Sequence, residues 1–340
     1  MREINITAND AGRRLDRFLR KYLRNASLSE IYKLIRKDVK VDGKRKDESY
    51  VLNEGDTLTL YISDEVLDRM TRVRGGSAAA ARKAKRQFGI VYEDDNILIA
   101  DKPYGLLTHG DSREKKDHLA NQVRDYLIHQ GDYDPRAEKV FAPAPANRLD
   151  RNTTGVVLFG KTSESMRELN RMIREDDIRK FYLTLACGAI KGELHLGGSL
   201  VKDETANKVS ILEGDEGKEI ETIVRPLEVL SFGKGLRATL CEVELVTGRS
   251  HQIRAHLASV GHPLIGDTKY ATRGAADINA FVNARFGLTT QLLHADRIEF
   301  LDSTADSATL AYLTGRAFGA PAPKRFHEIF AGLGGSTYIY

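Results

Sequence analysis

Asn147-Arg148-Leu149-Asp150-Arg151-Asn152-Thr153-Thr154-Gly155-Val156-Val157-Leu158-Phe159-Gly160-Lys161-Thr162 joins a polar, turn-forming half to an apolar one. Its second half, Gly155 to Thr162, matches the G-x-x-x-x-G-K-T pattern of a phosphate loop letter for letter. A phosphate loop follows a strand and curls its N–H groups around an anion, whereas Val-Val-Leu-Phe prefers extended backbone. The glycines therefore bracket a buried strand from Gly155 to Phe159, and a nucleotide-hydrolase fold is disfavoured. Taken alone, Asp150 in its Thr- and Asn-rich turn reads as a backbone cap.

Outward from this stretch, the spacing predicts a helix from about Ser163 to Arg174, capped by Thr162 or Ser163. In the next run, Phe181, Leu183 and Leu185 alternate with Tyr182, Thr184 and Ala186, so Tyr182 faces the opposite side of a strand from the phenylalanine. Upstream, Ile90–Tyr92 and Ile97–Ala100 read as short strands, and Leu119, Val123 and Leu127 mark a helix. Because turns rather than regular helices join several strands, the region from about Phe88 onward reads as one α+β domain, not a doubly wound parallel sheet. At 340 residues the chain has room for a second domain, and 41% hydrophobic with 29% charged residues excludes global disorder. The N-terminus turns polar at once, and no apolar run approaches the ~18 residues of a bilayer span, so secretion and membrane insertion are disfavoured and a cytoplasmic location is expected. The two cysteines, Cys187 and Cys241, read as small core residues, too few for a disulfide framework or a thiolate metal cage.

The net charge of +4 says less than its distribution. Gly12 to Arg24 carries six basic residues (Arg13, Arg14, Arg17, Arg20, Lys21 and Arg24) against one acid, with Leu15, Phe18, Leu19, Tyr22 and Leu23 at helical spacing. A second helix is expected from Ser29, as N-cap, to Lys37, with Ile31, Leu34 and Ile35 inward and Lys33, Arg36 and Lys37 outward. Val39 and Val41 then begin a hairpin with a type I′ turn at Asp42-Gly43, and Val51 to Ile62 reads as strands broken at Glu54-Gly55-Asp56. These features give a basic unit over 1–62. The stretch from Arg69 to Arg86, with seven basic residues and no acid, places a cationic flexible linker over 63–87. Cationic helices next to a cationic linker point to a polyanionic partner, since each neutralised phosphate releases counterions.

His251, His256 and His262, with Asp267 nearby, could suggest a metal site. On a helix, however, the first two lie five residues apart and diverge by about 140°, and no glutamate stands between them. No metal is expected.

Three further segments accompany Asn147 to Gly155 in order along the chain: Lys102-Pro103-Tyr104-Gly105 before it, then Lys180-Phe181-Tyr182, then Gly248-Arg249-Ser250-His251-Gln252-Ile253-Arg254-Ala255-His256 opening a helix that Gly261 to Asp267 closes. Together they resemble the RluA family of RNA pseudouridine synthases, whose members carry H-R-L-D-x-x-T-S-G, K-P-x-G, K-x-Y and G-R-T-H-Q-I-R-x-H segments. The resemblance spans about Phe88 to Phe300, and the basic unit in front is similar to the S-four RNA-binding domain. Asn147 replaces the family's usual histidine and Thr154 its serine, departures that bear on subfamily and substrate more than on chemistry.

The resemblance implies a catalytic domain over 88–340 built on a mixed, mainly antiparallel sheet with flanking helices. It also implies an enzyme that isomerises uridine to pseudouridine in RNA, large-subunit ribosomal RNA first and transfer RNA as the alternative. The reaction breaks a carbon–nitrogen glycosidic bond and rejoins the uracil through carbon five, with no redox change, so no cofactor is expected. Asp150 becomes the carboxylate nucleophile, dividing one difficult exchange into two steps. Arg254 would hold it ionised and oriented. Tyr182 would lie on the flipped uracil and assist the late proton transfer, Ile253 would wall the pocket, and Arg148 would fill the space the base vacates. Arg13, Arg14, Arg17, Arg20, Lys21, Arg36, Lys37 and Lys102 are the expected RNA contacts. No obligatory protein partner is indicated. Two readings from other classes stay open: a catalytically silent RNA-binding or ribosome-assembly factor, and a glycosidase, which needs a second acid about 5 to 9 Å from Asp150.

Overall fold

A strand that the sequence reading left out, β1 (Arg2–Asn5), opens the chain in the computed structural model of the protein, which describes residues 1–71, 86–112, 114–203, 208–212 and 218–336. Helix α1 (Leu15–Tyr22) buries Leu15, Phe18 and Leu19, as the spacing predicts. Helix α2 (Leu28–Lys37) buries Ile31, Leu34 and Ile35, but its cap is Ser27 rather than Ser29. Ser27 Oγ accepts the Glu30 N–H at 3.3 Å and the Glu30 carboxylate accepts the Ser27 N–H at 2.8 Å, a reciprocal capping box. Strand β2 (Val39–Val41) runs into a turn with φ +49° at Asp42 and +72° at Gly43, both positive as type I′ requires. The residues after that turn make only an isolated bridge, and β2 pairs instead with β3 (Thr57–Leu60), the middle strand of an antiparallel β1-β3-β2 sheet. Helix α3 (Asp64–Thr71) lies within the segment expected as a linker. Its two apolar residues three apart, Leu67 and Met70, give it a face that is buried in the same core as Phe18 and Ile31. The rest of that segment, 72–85, lies outside the described residues.

Next come β4 (Gly89–Glu93), β5 (Ile97–Lys102), α4 (Leu119–Gln130), β6 (Ala144–Pro145), β7 (Thr154–Gly160), α5 (Ser163–Arg174) and β8 (Ile178–Cys187). They are followed by β9 (Leu194–Asp203), β10 (Lys208–Leu212), β11 (Lys218–Phe232), β12 (Leu236–Leu245), α6 (Gln252–Ser259), α7 (Ala276–Phe286), β13 (Leu293–Phe300), β14 (Ala317–Gly319) and α8 (Lys324–Gly332). The strands form one 11-stranded sheet in the order β10-β9-β11-β12-β8-β13-β7-β5-β4, with β14 on β13 and β6 on β7. β13 pairs antiparallel with β8 and parallel with β7, so the sheet is mixed. Leu169 and Met172 of α5 pack on Ile99, Val156 and Ile298 of the sheet. Ile278 and Val282 of α7 and Phe326 and Ile329 of α8 cover Leu185 and Leu240.

The phosphate-loop pattern is a strand. All of β7 is buried, and Lys161, the lysine of the pattern, is paired with Asp132 at 2.6 Å. Gly155, at φ +105°, is required because a Cβ there would land on the carbonyl oxygen of Ala295 in the parallel neighbour β13. By contact density the chain divides into Met1–Arg86, Gln122–Ala144 and Gly160–Arg167 on one side, and Gln87–Asn121, Pro145–Phe159 and Glu168–Tyr340 on the other. The first unit thus takes in two stretches downstream of the 62–88 region where the sequence places the boundary. Among the described residues no helix is long and apolar enough to cross a membrane.

Candidate active site

Asp150 sits in a turn closed by the Thr153 N–H donating to its own carbonyl at 3.1 Å, directly before β7. The segment after β5 clamps this turn from behind. The Lys102 ammonium donates to the carbonyls of Pro103, Leu106 and Arg151 at 3.1, 2.7 and 3.0 Å. The Gly105 N–H shares the Arg151 carbonyl at 3.1 Å, and the Thr108 hydroxyl donates to the Leu149 carbonyl while accepting the Leu149 N–H. Lys102 is fully buried, so its expected RNA contact is corrected. The tight turn after it folds the carbonyls back over the ammonium instead of presenting it to solvent. Burial pushes its pKa down to about 7, against the opposing pull of Asp150 and Asp101. On the exit side, buried His294 donates from Nε2 to the Ala320 carbonyl at 2.9 Å, so its Nδ1 accepts the Thr154 hydroxyl at 2.8 Å.

Helix α6 brings Arg254 to the turn. Its Nη1 donates to Asp150 Oδ2 at 3.0 Å, while Nε and Nη2 donate to the two oxygens of Asp267 at 2.6 and 2.9 Å. Asp267 is 1% exposed, and its Oδ1 also accepts the backbone N–H groups of Lys269 and Tyr270. The Tyr270 ring centroid lies 5.1 Å from the guanidinium carbon. Burial pulls the Arg254 pKa down, but the hydrogen bonds and charge of Asp267 and Asp150 outweigh it and hold the pKa above its usual value. The arginine is therefore a permanent cation fixed by one carboxylate and offered to another. After α6, the Gly261 N–H bonds the Ala258 carbonyl and the His262 N–H bonds the Leu257 carbonyl, the Schellman ending that the glycine predicts.

Asp150, Arg148, Tyr182, Ile253 and Arg254 all line one cleft of about 320 Å³, together with His109, Lys180, Leu245, Arg249 and His251. The Asp150 side chain keeps 24% of its exposure, while Tyr182 and Ile253 are buried in the wall and Arg148 is exposed at the mouth. Burial, then the charge of Asp150, raises the Tyr182 pKa, so its phenol stays protonated. Its hydroxyl has no hydrogen-bond partner among the described residues.

A family model described as RNA pseudouridylate synthase matches residues 96–259, a span that includes Asp150, Tyr182 and Arg254. A ribosomal large subunit pseudouridine synthase C of Vibrio cholerae is 33% identical over 313 residues, covering 89% of this chain and 90% of that protein. The protein of that name in Escherichia coli (strain K12) is 32% identical over 303 residues, covering 87% and 88%. The chain belongs to the RNA pseudouridylate synthase family. Solved structures of the human RNA pseudouridylate synthase domain containing 1 and 4 proteins share the fold, with TM-scores of 0.51 and 0.52 at 20% and 21% identity. They cover 73% and 74% of this chain and 87% and 95% of their own. As a pseudouridine synthase the protein is an isomerase acting on uridine in RNA.

This synthase's cleft also holds groups to which the sequence reading gave no role. Asp267 lies behind the cleft lining rather than in it, and its pairing with Arg254 thirteen residues back carries no local signature. Lys180 lines the cleft and donates to the Val246 carbonyl at 3.1 Å. His251 is not on a helix face at all: it is the residue before α6, with φ +59°. The angular comparison with His256 therefore does not apply. His256 instead places Nδ1 2.8 Å from the Thr222 hydroxyl, and burial pushes its pKa down to about 4. The expected RNA contacts in the N-terminal part divide in two. Arg17, Arg20, Lys21, Arg36 and Lys37 are exposed, and Arg36 Nε donates to the Tyr32 carbonyl. Arg14 forks onto Asp16 at 3.0 and 3.1 Å. Arg13, also expected to contact RNA, is half-buried, with Nη2 donating to the Ser163 hydroxyl at 3.1 Å.

Proposed function

We propose that this synthase modifies uridine in large-subunit ribosomal RNA through nucleophilic attack by Asp150. The observation that carries the mechanism is the 3.0 Å contact between Asp150 Oδ2 and an arginine that is itself locked by a buried carboxylate, inside the cleft that also holds Tyr182 and Ile253. A uridine stacked in folded RNA is everted into such a cleft, and Arg148 at the mouth, a planar cation, fills the gap it leaves. The Asp150 carboxylate, oriented by Arg254, bonds the ribose carbon as the glycosidic carbon–nitrogen bond breaks, and it leaves again when carbon five of the turned uracil takes the nitrogen's place. Tyr182 packs on the base, where its phenol, protonated at rest, can take up the proton leaving carbon five only as it passes its own to a second acceptor, and Ile253 closes the apolar side. Arg249, exposed at the same cleft as Arg148, adds positive charge where the RNA backbone enters, whereas partial burial and then the charge of Arg148 keep His109 neutral.

In this reading the S-four-like RNA-binding domain expected over 1–62 extends through α3 to Thr71, whose Leu67 and Met70 share its core, the catalytic domain is built from the chain after 87, and the enzyme works in the cytoplasm. Arg17, Arg20, Lys21, Arg36 and Lys37 supply phosphate contacts. The choice of ribosomal over transfer RNA rests on the names of the relatives. The purified enzyme, given unmodified transcripts of bacterial large-subunit ribosomal RNA and of transfer RNA, is expected to form pseudouridine in the first. Product in transfer RNA alone would overturn the substrate, and product in neither would overturn the activity.

A further inference from the structure

His251 adopts a backbone conformation that glycine, asparagine and aspartate tolerate best. Among the described residues only Asp42 and Asp176 share its positive φ without being glycine, and His251 alone of the three lines the active cleft. Strain of this kind persists where the surroundings fix it. Here it sets the imidazole between two elements, with Nδ1 3.0 Å from the Tyr270 hydroxyl and Nε2 3.7 Å from Asp150 Oδ2. Tyr270 is held in turn: its oxygen accepts the Val209 N–H of β10 at 2.9 Å, and its ring meets that of His251 edge-on at 5.7 Å.

We propose that His251 is a positioning residue that selects which oxygen of Asp150 attacks: the Tyr270 hydroxyl donates to Nδ1, leaving the ring proton on Nε2, directed at Oδ2. Arg254 and His251 then both engage Oδ2. Oδ1, which accepts no hydrogen bond among the described residues, is left for the nucleoside. The opposite tautomer would set a nitrogen lone pair against a carboxylate. The charged groups around the ring are Asp150, Asp267, Arg254 and Lys269. Burial holds the imidazole pKa below its usual value, so the ring is neutral at neutral pH, as the tautomer requires. A separation of 3.7 Å is longer than a formed bond, and catalytic hydrogen bonds commonly tighten only when substrate binds.

The inference rests on Asp150 being the nucleophile, so the test carries Asp150→Ala beside His251→Asn and Tyr270→Phe. Asparagine keeps the left-handed backbone but is too short for both contacts, and phenylalanine keeps the ring beside Arg254 while losing the hydroxyl. With an unmodified transcript of bacterial large-subunit ribosomal RNA, each of the two is expected to lower the single-turnover rate about 10- to 100-fold, the span of a hydrogen bond to a charged group, with KM within about threefold. The double variant should be no slower than the worse single one, and 15N spectra of the wild-type ring should show protonated Nε2 and bare Nδ1. Should His251→Asn fail to fold, Tyr270→Phe and the spectra decide. Rates within about twofold of wild type, losses confined to KM, additive losses, or a protonated Nδ1 in the neutral ring would each overturn the proposal. Turnover by Asp150→Ala would instead remove the nucleophile on which it stands.

Discussion

Replacing Asp267 by asparagine tests the claim that a second carboxylate holds the catalytic cation in place. Asp267 is 1% and Arg254 6% exposed, and two hydrogen bonds of 2.6 and 2.9 Å join them. Losing one partner of a buried ion pair costs about 3 to 5 kcal/mol because the remaining charge is stranded. Asparagine keeps one oxygen for the N–H groups of Lys269 and Tyr270, and Asp150 still faces Arg254, so the lower end, about 3 kcal/mol, is expected. For a unit of this size that corresponds to a fall in Tm of roughly 6 to 12 °C. The guanidinium, no longer forked, is free to shift relative to Asp150, and a displacement of about 1 Å at a reacting group costs about 100-fold in rate. Thermal unfolding and single-turnover pseudouridine formation measure the two effects separately. A variant less than ~1 kcal/mol destabilised with a rate within about twofold of wild type would refute the reasoning.

Gly155→Ala should cost about 3 kcal/mol or more, since its methyl group meets the Ala295 carbonyl in a positive-φ position, and soluble, active protein would contradict the β7–β13 register. His256 has a folded pKa of about 4 against an ordinary 6.5, so the folded state binds fewer protons than the unfolded state between these values. Its stabilisation is complete above about pH 6.5 and fades as pH falls toward about 4. Between pH 7.5 and 5 the wild type should lose about 2 kcal/mol more, by urea unfolding, than His256→Asn; equal losses would count against the shift. Changing Arg17, Arg20 and Lys37 together to alanine should lower the slope of log affinity against log salt by about 2, and an unchanged slope would show that these exposed charges do not meet phosphate.

Much of the catalytic half was legible because its signals are local. The apolar run of β7, the alternation around Tyr182 and the glycine at 261 each specify their own backbone, and the segments carrying Asp150 and Arg254 could be found without knowing that they meet. What escaped was set by contacts across the chain. Lys102 looks like a solvated lysine until three carbonyls, one of them 49 residues away, fold over it. The partnership of Asp267 with Arg254 depends on how the loop after α6 returns. The Ser27 cap was readable: Ser27 and Glu30 have the spacing of a capping box, whereas Ser29 has no acid three residues on. Strand β1 contributes one buried side chain, Ile4, too little periodicity to declare itself before β3 is in place beside it.

The most direct measurement compares Asp150→Ala with the wild-type enzyme on the same ribosomal transcript, scoring pseudouridine formed and RNA bound in parallel. Loss of all isomerisation, with affinity kept within a few-fold, is the predicted result. Pseudouridine formed by the variant at a rate near that of wild type would contradict it.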